Sequence, residues 1–248
     1  MSNTWPRLIQ SSSMKKIFCF GDGFATGHIW PEWPQILQAL VPDYQVVITA
    51  GIGAGSEFLV SGFVDQICNM RDSIVIFQWP QANRFDKLIE DASWKSIIAA
   101  DPVYHFNVVH DMHDRNWWLS SASKDQTIIE YHGHYVQGQQ HRRRQEVYQE
   151  LVLQTASNLN CQLIHTSTEQ QQIFSMSNRF KSSRTTEIQP SPVVHFYWLV
   201  EKVIPQCNIV IDFELQSKLE ASINQTEWIA YHPDREEIWN NIKQKLNV

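Results

Sequence analysis

Lys16-Ile17-Phe18-Cys19-Phe20-Gly21-Asp22-Gly23-Phe24-Ala25-Thr26-Gly27 is an apolar run that stops at Gly-Asp and passes into a Gly-rich turn. Ile17–Phe20 is short, continuously apolar and bounded by turn residues, as a strand buried on both faces would be. The pattern then repeats. Trp33, Ile36, Leu37 and Leu40 fall at helical spacing, and Pro42-Asp43 breaks that helix. Tyr44–Thr49 is a second strand. Gly51-Ile52-Gly53-Ala54-Gly55-Ser56 is a second Gly-rich turn, with Ser56 expected to cap a helix over Phe58–Met70. Ser73–Trp79 is a third strand, rich in β-branched and aromatic residues. Strands alternating with helices across short turns predict an α/β fold, a three-layer αβα sandwich built on a parallel, flavodoxin-like sheet. Ligand sites on such sheets lie beyond the carboxyl ends of the strands. The loops Asp22-Gly23, Gly53–Gly55 and Pro80–Arg84 are therefore expected to converge.

Beyond the third strand the chain is less regular. Residues 86–135 hold Trp94, Trp117, Trp118 and many His and Asp residues, and are expected to form an insertion or lid. A helix follows over His141–Leu159, opened by Arg142-Arg143-Arg144 and carrying the stripe Val147, Tyr148, Leu151, Val152. Cys161–His165 is a fourth strand, residues 167–189 are polar and loop-rich, and Val193–Val203 is a helix ended by Pro205. The predicted organisation is a flexible leader over 1–14, a domain over 15–208 containing the insertion, and a C-terminal extension over 209–248 with a final helix near Glu236–Leu246.

Composition narrows the function classes. With 43% hydrophobic and 19% charged residues the chain is globular rather than disordered. A net charge of -6 argues against a broad nucleic-acid surface. No apolar run reaches the ~18 residues of a spanning helix, and the N-terminal residues lack the apolar core of a signal peptide. No membrane partner is expected, and the expected location is the cytoplasm of a host cell or a virus particle. Cys19, Cys68, Cys161 and Cys207 show no C-x-x-C spacing; Cys19 and Cys68 are expected as buried free thiols. No cofactor is expected.

The three loops, together with Gln189-Pro190-Ser191-Pro192-Val193-Val194-His195, resemble the motif blocks of the SGNH/GDSL hydrolases, most closely the small hydrolase-like proteins of T4-like marine and cyanobacterial phages. The resemblance covers about residues 15–87 and 140–205. It implies where an ester hydrolase would keep its machinery. The nucleophilic Ser of the first block falls on Gly23. The second-block Gly, an oxyanion donor, falls within Gly53–Gly55. The third-block amide falls on Gln81 or Asn83. In the last block the His falls on Gln189 and the Asp on Thr186. A glycine cannot attack a carbonyl, a glutamine is no base near neutral pH, and a threonine cannot stabilise an imidazolium. The resemblance therefore implies a catalytically degenerate protein that binds or builds, in a virion or an infected cell. The alternative is an active esterase on acyl or carbohydrate esters that uses other residues. The implied partners are a carbohydrate or acyl-ester ligand, or protein partners in a homo-oligomer or virion.

Each substitute residue carries a competing structural role. Asp22 could act as nucleophile or base, or hold its own turn through backbone amides. His195 could be a displaced base, or pack or cap a helix. His232-Pro233 could bring an imidazole back to the loops, although Ile229 stands where an Asp would be needed. Arg84 could meet an anionic ligand group, or hold Asp86 or Glu90. His110, Asp111, His113 and Asp114 are weak metal-ligand candidates, as is the Tyr131–His134 segment, because their spacing matches no established site. Trp30, Trp33 and Trp79 could stack on sugar rings or fill the core.

Overall fold

A computed structural model describes residues 14–25, 31–82, 84, 86–89, 108–110, 115–119, 138–177, 180, 190–228 and 233–248. The predicted α/β architecture is present. Strands β1 (Lys15–Gly21), β2 (Tyr44–Ala50), β3 (Ile74–Trp79) and β7 (Gln162–Ser167) form a parallel sheet in the order β2-β1-β3-β7. Ile17 faces Val46 on one side and Ile74 on the other, and Ile76 faces Ile164.

Side-chain alternation along β1 builds the layers. Ile17 and Cys19 point into one core with Trp33, Ile36, Leu37 and Leu40 of α1 (Trp33–Leu40). Phe18 and Phe20 point into the other, with Phe58, Leu59 and Phe63 of α2 (Ser56–Gln66) and Val152 of α3 (Gly138–Asn158). Such period-two alternation under two helix layers explains why β1 and β3 are apolar at successive positions. Phe20 stacks on Phe77 and meets Phe63 edge-on, at centroid distances of 5.2 and 5.7 Å.

Residues within 86–119 contribute a second, antiparallel sheet of β4 (Asp86–Ile89), β5 (Val108–His110) and β6 (Asn116–Leu119), in the order β4-β6-β5. Trp117 anchors it, buried edge-on against Phe58 with ring centroids 5.8 Å apart. This small sheet is thus pinned to α2 through Phe58.

Several boundaries differ from the sequence reading. Residues 167–189 are not all loop: α4 (Thr168–Ser175) follows β7 directly, started by a capping box in which Ser167 and Gln170 satisfy each other's backbone amides. The helix predicted over Val193–Val203 does not stop at Pro205. It runs from α5 (Pro192–Trp198) through a π turn (Leu199–Val203) into α6 (Ile204–Cys207). A proline lacks an N–H and crowds the carbonyl four residues back, and the wider π turn just ahead relieves that conflict. Cys68 is exposed rather than buried, because the chain leaves α2 for a 3-10 turn at Ile67–Asn69. The C-terminal segment carries two helices, α7 (Phe213–Gln225) and α8 (Arg235–Leu246), rather than a final helix alone. Leu219, Ile223, Trp239 and Ile242 of these helices are buried in the same core as α1. Among the described residues, no helix is long and apolar enough to cross a membrane.

Candidate functional site

The first block closes on itself. Asp22, 1% exposed at the end of β1, accepts the Phe24 N–H on Oδ1 at 3.0 Å, and its carbonyl accepts the Ala25 N–H at 2.9 Å. This is the turn-holding role that a loop Asp commonly takes. Its other oxygen is also committed. Oδ2 receives Arg84 Nη1 at 2.5 Å and Thr168 Oγ1 at 3.0 Å. Thr168 Oγ1 lies within 3.2 Å of the Trp79 carbonyl as well. One buried carboxylate thus ties together the ends of β1, β3 and β7.

Gly23 follows, with a backbone that an L-residue can adopt. A β-carbon built on it would come no closer than 3.9 Å to Gly53 N and Ile52 Cα. The first and second blocks are therefore in contact, and there is room for a side chain where the sequence provides none. The Gly51 N–H donates to Gly21 O at 3.3 Å, which holds the two loops in this relation. Gly53 takes φ +80°, a left-handed turn conformation that favours glycine.

The third loop meets the second through Asp86. Its carboxylate accepts the Gly55 N–H at 2.8 Å and the Phe58 N–H at 2.9 Å, and so caps α2 from a distant segment. Ser56 does not cap the helix; Gly55 holds that position, where a β-carbon would sit 2.9 Å from Asp86 Oδ2. Burial pushes the Asp86 carboxyl up to about 7, with the nearby Glu57 charge adding to the rise. The Phe58 and Gly55 amides and Arg84 pull it down. Burial also raises Glu57, and Arg144 Nη1 opposes this from 2.8 Å, off hydrogen-bond alignment.

His195 lies in α5, away from Asp22 and 2% exposed. Gln171 Nε2 donates to its Nδ1 at 2.8 Å, Gln78 Nε2 donates to Gln171 Oε1 at 2.6 Å, and Trp33 Nε1 donates to Gln78 Oε1 at 3.1 Å. Burial lowers His195 to about 3, so the ring stays neutral and serves this buried chain. Arg84 forms a salt bridge with Asp22; Glu90, one of the partners expected from sequence, lies outside the described residues. Gln81 is exposed, and its carbonyl accepts the Arg84 N–H in a turn. Trp33 and Trp79 are buried in the core. His110 stands on β5; Asn83, Asp111, His113, Asp114, Tyr131–His134, Thr186, Gln189, Trp30 and His232 lie outside the described residues. Among the described residues no three His, Cys, Asp or Glu side chains cluster as metal ligands would.

Thr168 is the site residue that sequence reading missed. Its signal is the run Ser167-Thr168-Glu169-Gln170 directly after an apolar strand, which is a helix-start pattern. Its hydroxyl stands near the loops, but a carboxylate and a carbonyl partner it, not an imidazole. Among the described residues, nothing beside Asp22 can take a proton from a hydroxyl and be held in place as a triad base is held. No family model, curated protein or solved structure matches the chain.

Proposed function

We propose that this chain is an SGNH-hydrolase-like protein that has lost hydrolysis and serves as a binding or structural protein, in the phage or infected-cell setting the motif resemblance implies. One observation carries the reading. The position for an attacking hydroxyl is Gly23, with open space around it, while the carboxylate beside it is spent on Arg84, Thr168 and the Phe24 amide. A carboxylate whose oxygens are already engaged by a guanidinium, a hydroxyl and a backbone amide is not presented to a substrate.

The ligand that fits this reading is an acyl or acetylated carbohydrate ester, held without cleavage. The test is hydrolysis of 4-nitrophenyl acetate and of acetylated xylo-oligosaccharides by the whole chain. Rates equal to buffer, unchanged in Asp22→Asn, are the expected result. Turnover above buffer that disappears in Asp22→Asn would overturn the proposal.

A further inference from the structure

A cavity lies beside β7 of the parallel sheet, with none of the three loops in its walls. It measures about 390 Å³, and its walls include His165 of β7, Gln170 and Phe174 of α4, and Trp198, Lys202 and Gln206 of the α5–α6 region. Its size falls within the range of small-molecule sites, roughly 300–1,000 Å³. Among the described residues β7 is the last strand of its sheet, and helices α4, α5 and α6 wall the cavity beside it.

The sequence builds this wall locally. Gln170 and Phe174 are four residues apart on α4 and share a face. Trp198, Lys202 and Val203 all reach the cavity because the π turn over Leu199–Val203 widens the helical repeat. In an uninterrupted α-helix, residues four and five beyond Trp198 would diverge by about 100°. Single π turns inside helices recur at functional sites.

The polar groups here are mostly donors. Trp79 Nε1 donates to His165 Nδ1 at 2.9 Å, which leaves the His165 ring proton on Nε2. Partial burial lowers the pKa of His165, so this neutral donor form holds at neutral pH. The Gln170 carbonyl oxygen is taken by the Thr166 hydroxyl and the Ser167 N–H, so Gln170 offers its amide N–H groups. The Trp198 indole N–H has no hydrogen-bond partner among the described residues. The Lys202 ammonium lies 6.0 Å from the Phe174 ring centroid and pairs with no carboxylate among the described residues. No Asp or Glu is among the described residues that line the cavity. A concave site with aromatic walls, several unmet donors and one cation suits a ligand with an anionic head and a flat apolar body.

We propose that this cavity binds a small aromatic anion, a carboxylate or phosphate monoester, with Lys202 facing its charge and Phe174 and Trp198 flanking its ring. The site is separate from Gly23, so its fate and that of the lost-hydrolysis reading are decided by different measurements.

The test is isothermal titration of the whole chain with benzoate, phenyl phosphate and the neutral isostere benzamide, at neutral pH and low salt. Saturable binding of benzoate or phenyl phosphate is the expected result, and the preferred head group follows from which of the two binds more tightly. Benzamide should bind at least about tenfold more weakly, as should either anion to Lys202→Met. Lys245→Met, an equal loss of charge on an exposed part of α8, should leave affinity unchanged. Lys202 is exposed, so its variant keeps the fold, which circular dichroism verifies. No saturation by either anion in the millimolar range overturns the proposal. So does benzamide binding as tightly as benzoate, or equal losses in Lys202→Met and Lys245→Met.

Discussion

Asp22 and Arg84, sixty-two residues apart in sequence, form a salt bridge across the carboxyl end of the parallel sheet, with Asp22 1% and Arg84 18% exposed. The pair sits at the end of the sheet where ligand sites on such a fold lie. Removing one partner strands the other charge. Arg84→Met is expected to lower stability by about 3 kcal/mol. Asp22→Asn also loses charge-assisted bonds to Thr168 and the Phe24 amide and should cost a similar amount. The double variant should fall well short of the sum. Urea denaturation of the four proteins measures this, and additive losses would mean that the two residues are not coupled.

Gly23 can accept a side chain. Gly23→Ser should fold with stability within about 1 kcal/mol of the parent, since a β-carbon meets ordinary contacts and the unfolded chain loses freedom. Its esterase rate should stay at the buffer level, because a hydroxyl placed there has no imidazole beside it among the described residues. Thermal melting and a 4-nitrophenyl acetate assay check both halves. A jump in rate would reveal a working base and refute the degenerate reading.

Asp86 and Glu57 set a pH dependence with a definite sign. The Asp86 carboxyl rises from 3.8 to about 7 on folding, so the folded state holds its proton more tightly. Its contribution is fully present below about 4, shrinks as pH rises, and is gone above about 7. Asp86→Asn removes this slope while keeping one acceptor for the α2 amides. Relative to the parent, the variant should therefore gain stability between pH 4 and pH 7, by a few kcal/mol. Denaturation at several pH values checks it, and parallel curves would show that Asp86 does not titrate in that window.

His195 works in the opposite direction. Its pKa falls from 6.5 to about 3 on folding, so its contribution is present above 6.5 and is lost as pH falls toward 3. NMR of the ring should show a neutral imidazole at pH 5. Gln171→Leu leaves buried groups of both Gln78 and His195 without partners and should cost about 2–4 kcal/mol. A loss under 1 kcal/mol would mean that the chain of amides is not an energetic unit.

The layers were legible because strong local signals agreed. Ile17–Phe20 is apolar at every position and Ile74–Trp79 at all but Gln78, and Gly-rich turns follow the first two strands. Helix α4 was not legible from apolar periodicity, since Thr168–Ser175 is mostly polar and its start rests on a side-chain cap. Pro205 misled because its cost depends on the hydrogen-bond spacing of the turn before it, which sequence does not display. Arg84 was correctly placed near the loops, but its partner lies sixty-two residues back, beyond any local rule.

By itself the sequence determined the parallel α/β frame, the order of its Gly-rich loops and the lack of a hydroxyl at position 23. Those follow from side-chain type and spacing, which act over a few residues. Tertiary structure alone decided that Asp22 is locked by Arg84 and Thr168, that His195 belongs to a buried amide chain, and that Lys202 stands over Phe174. Hydrogen bonds and charge pairs form between groups that distant segments bring within about 3 Å, and a linear chain carries no record of that closeness.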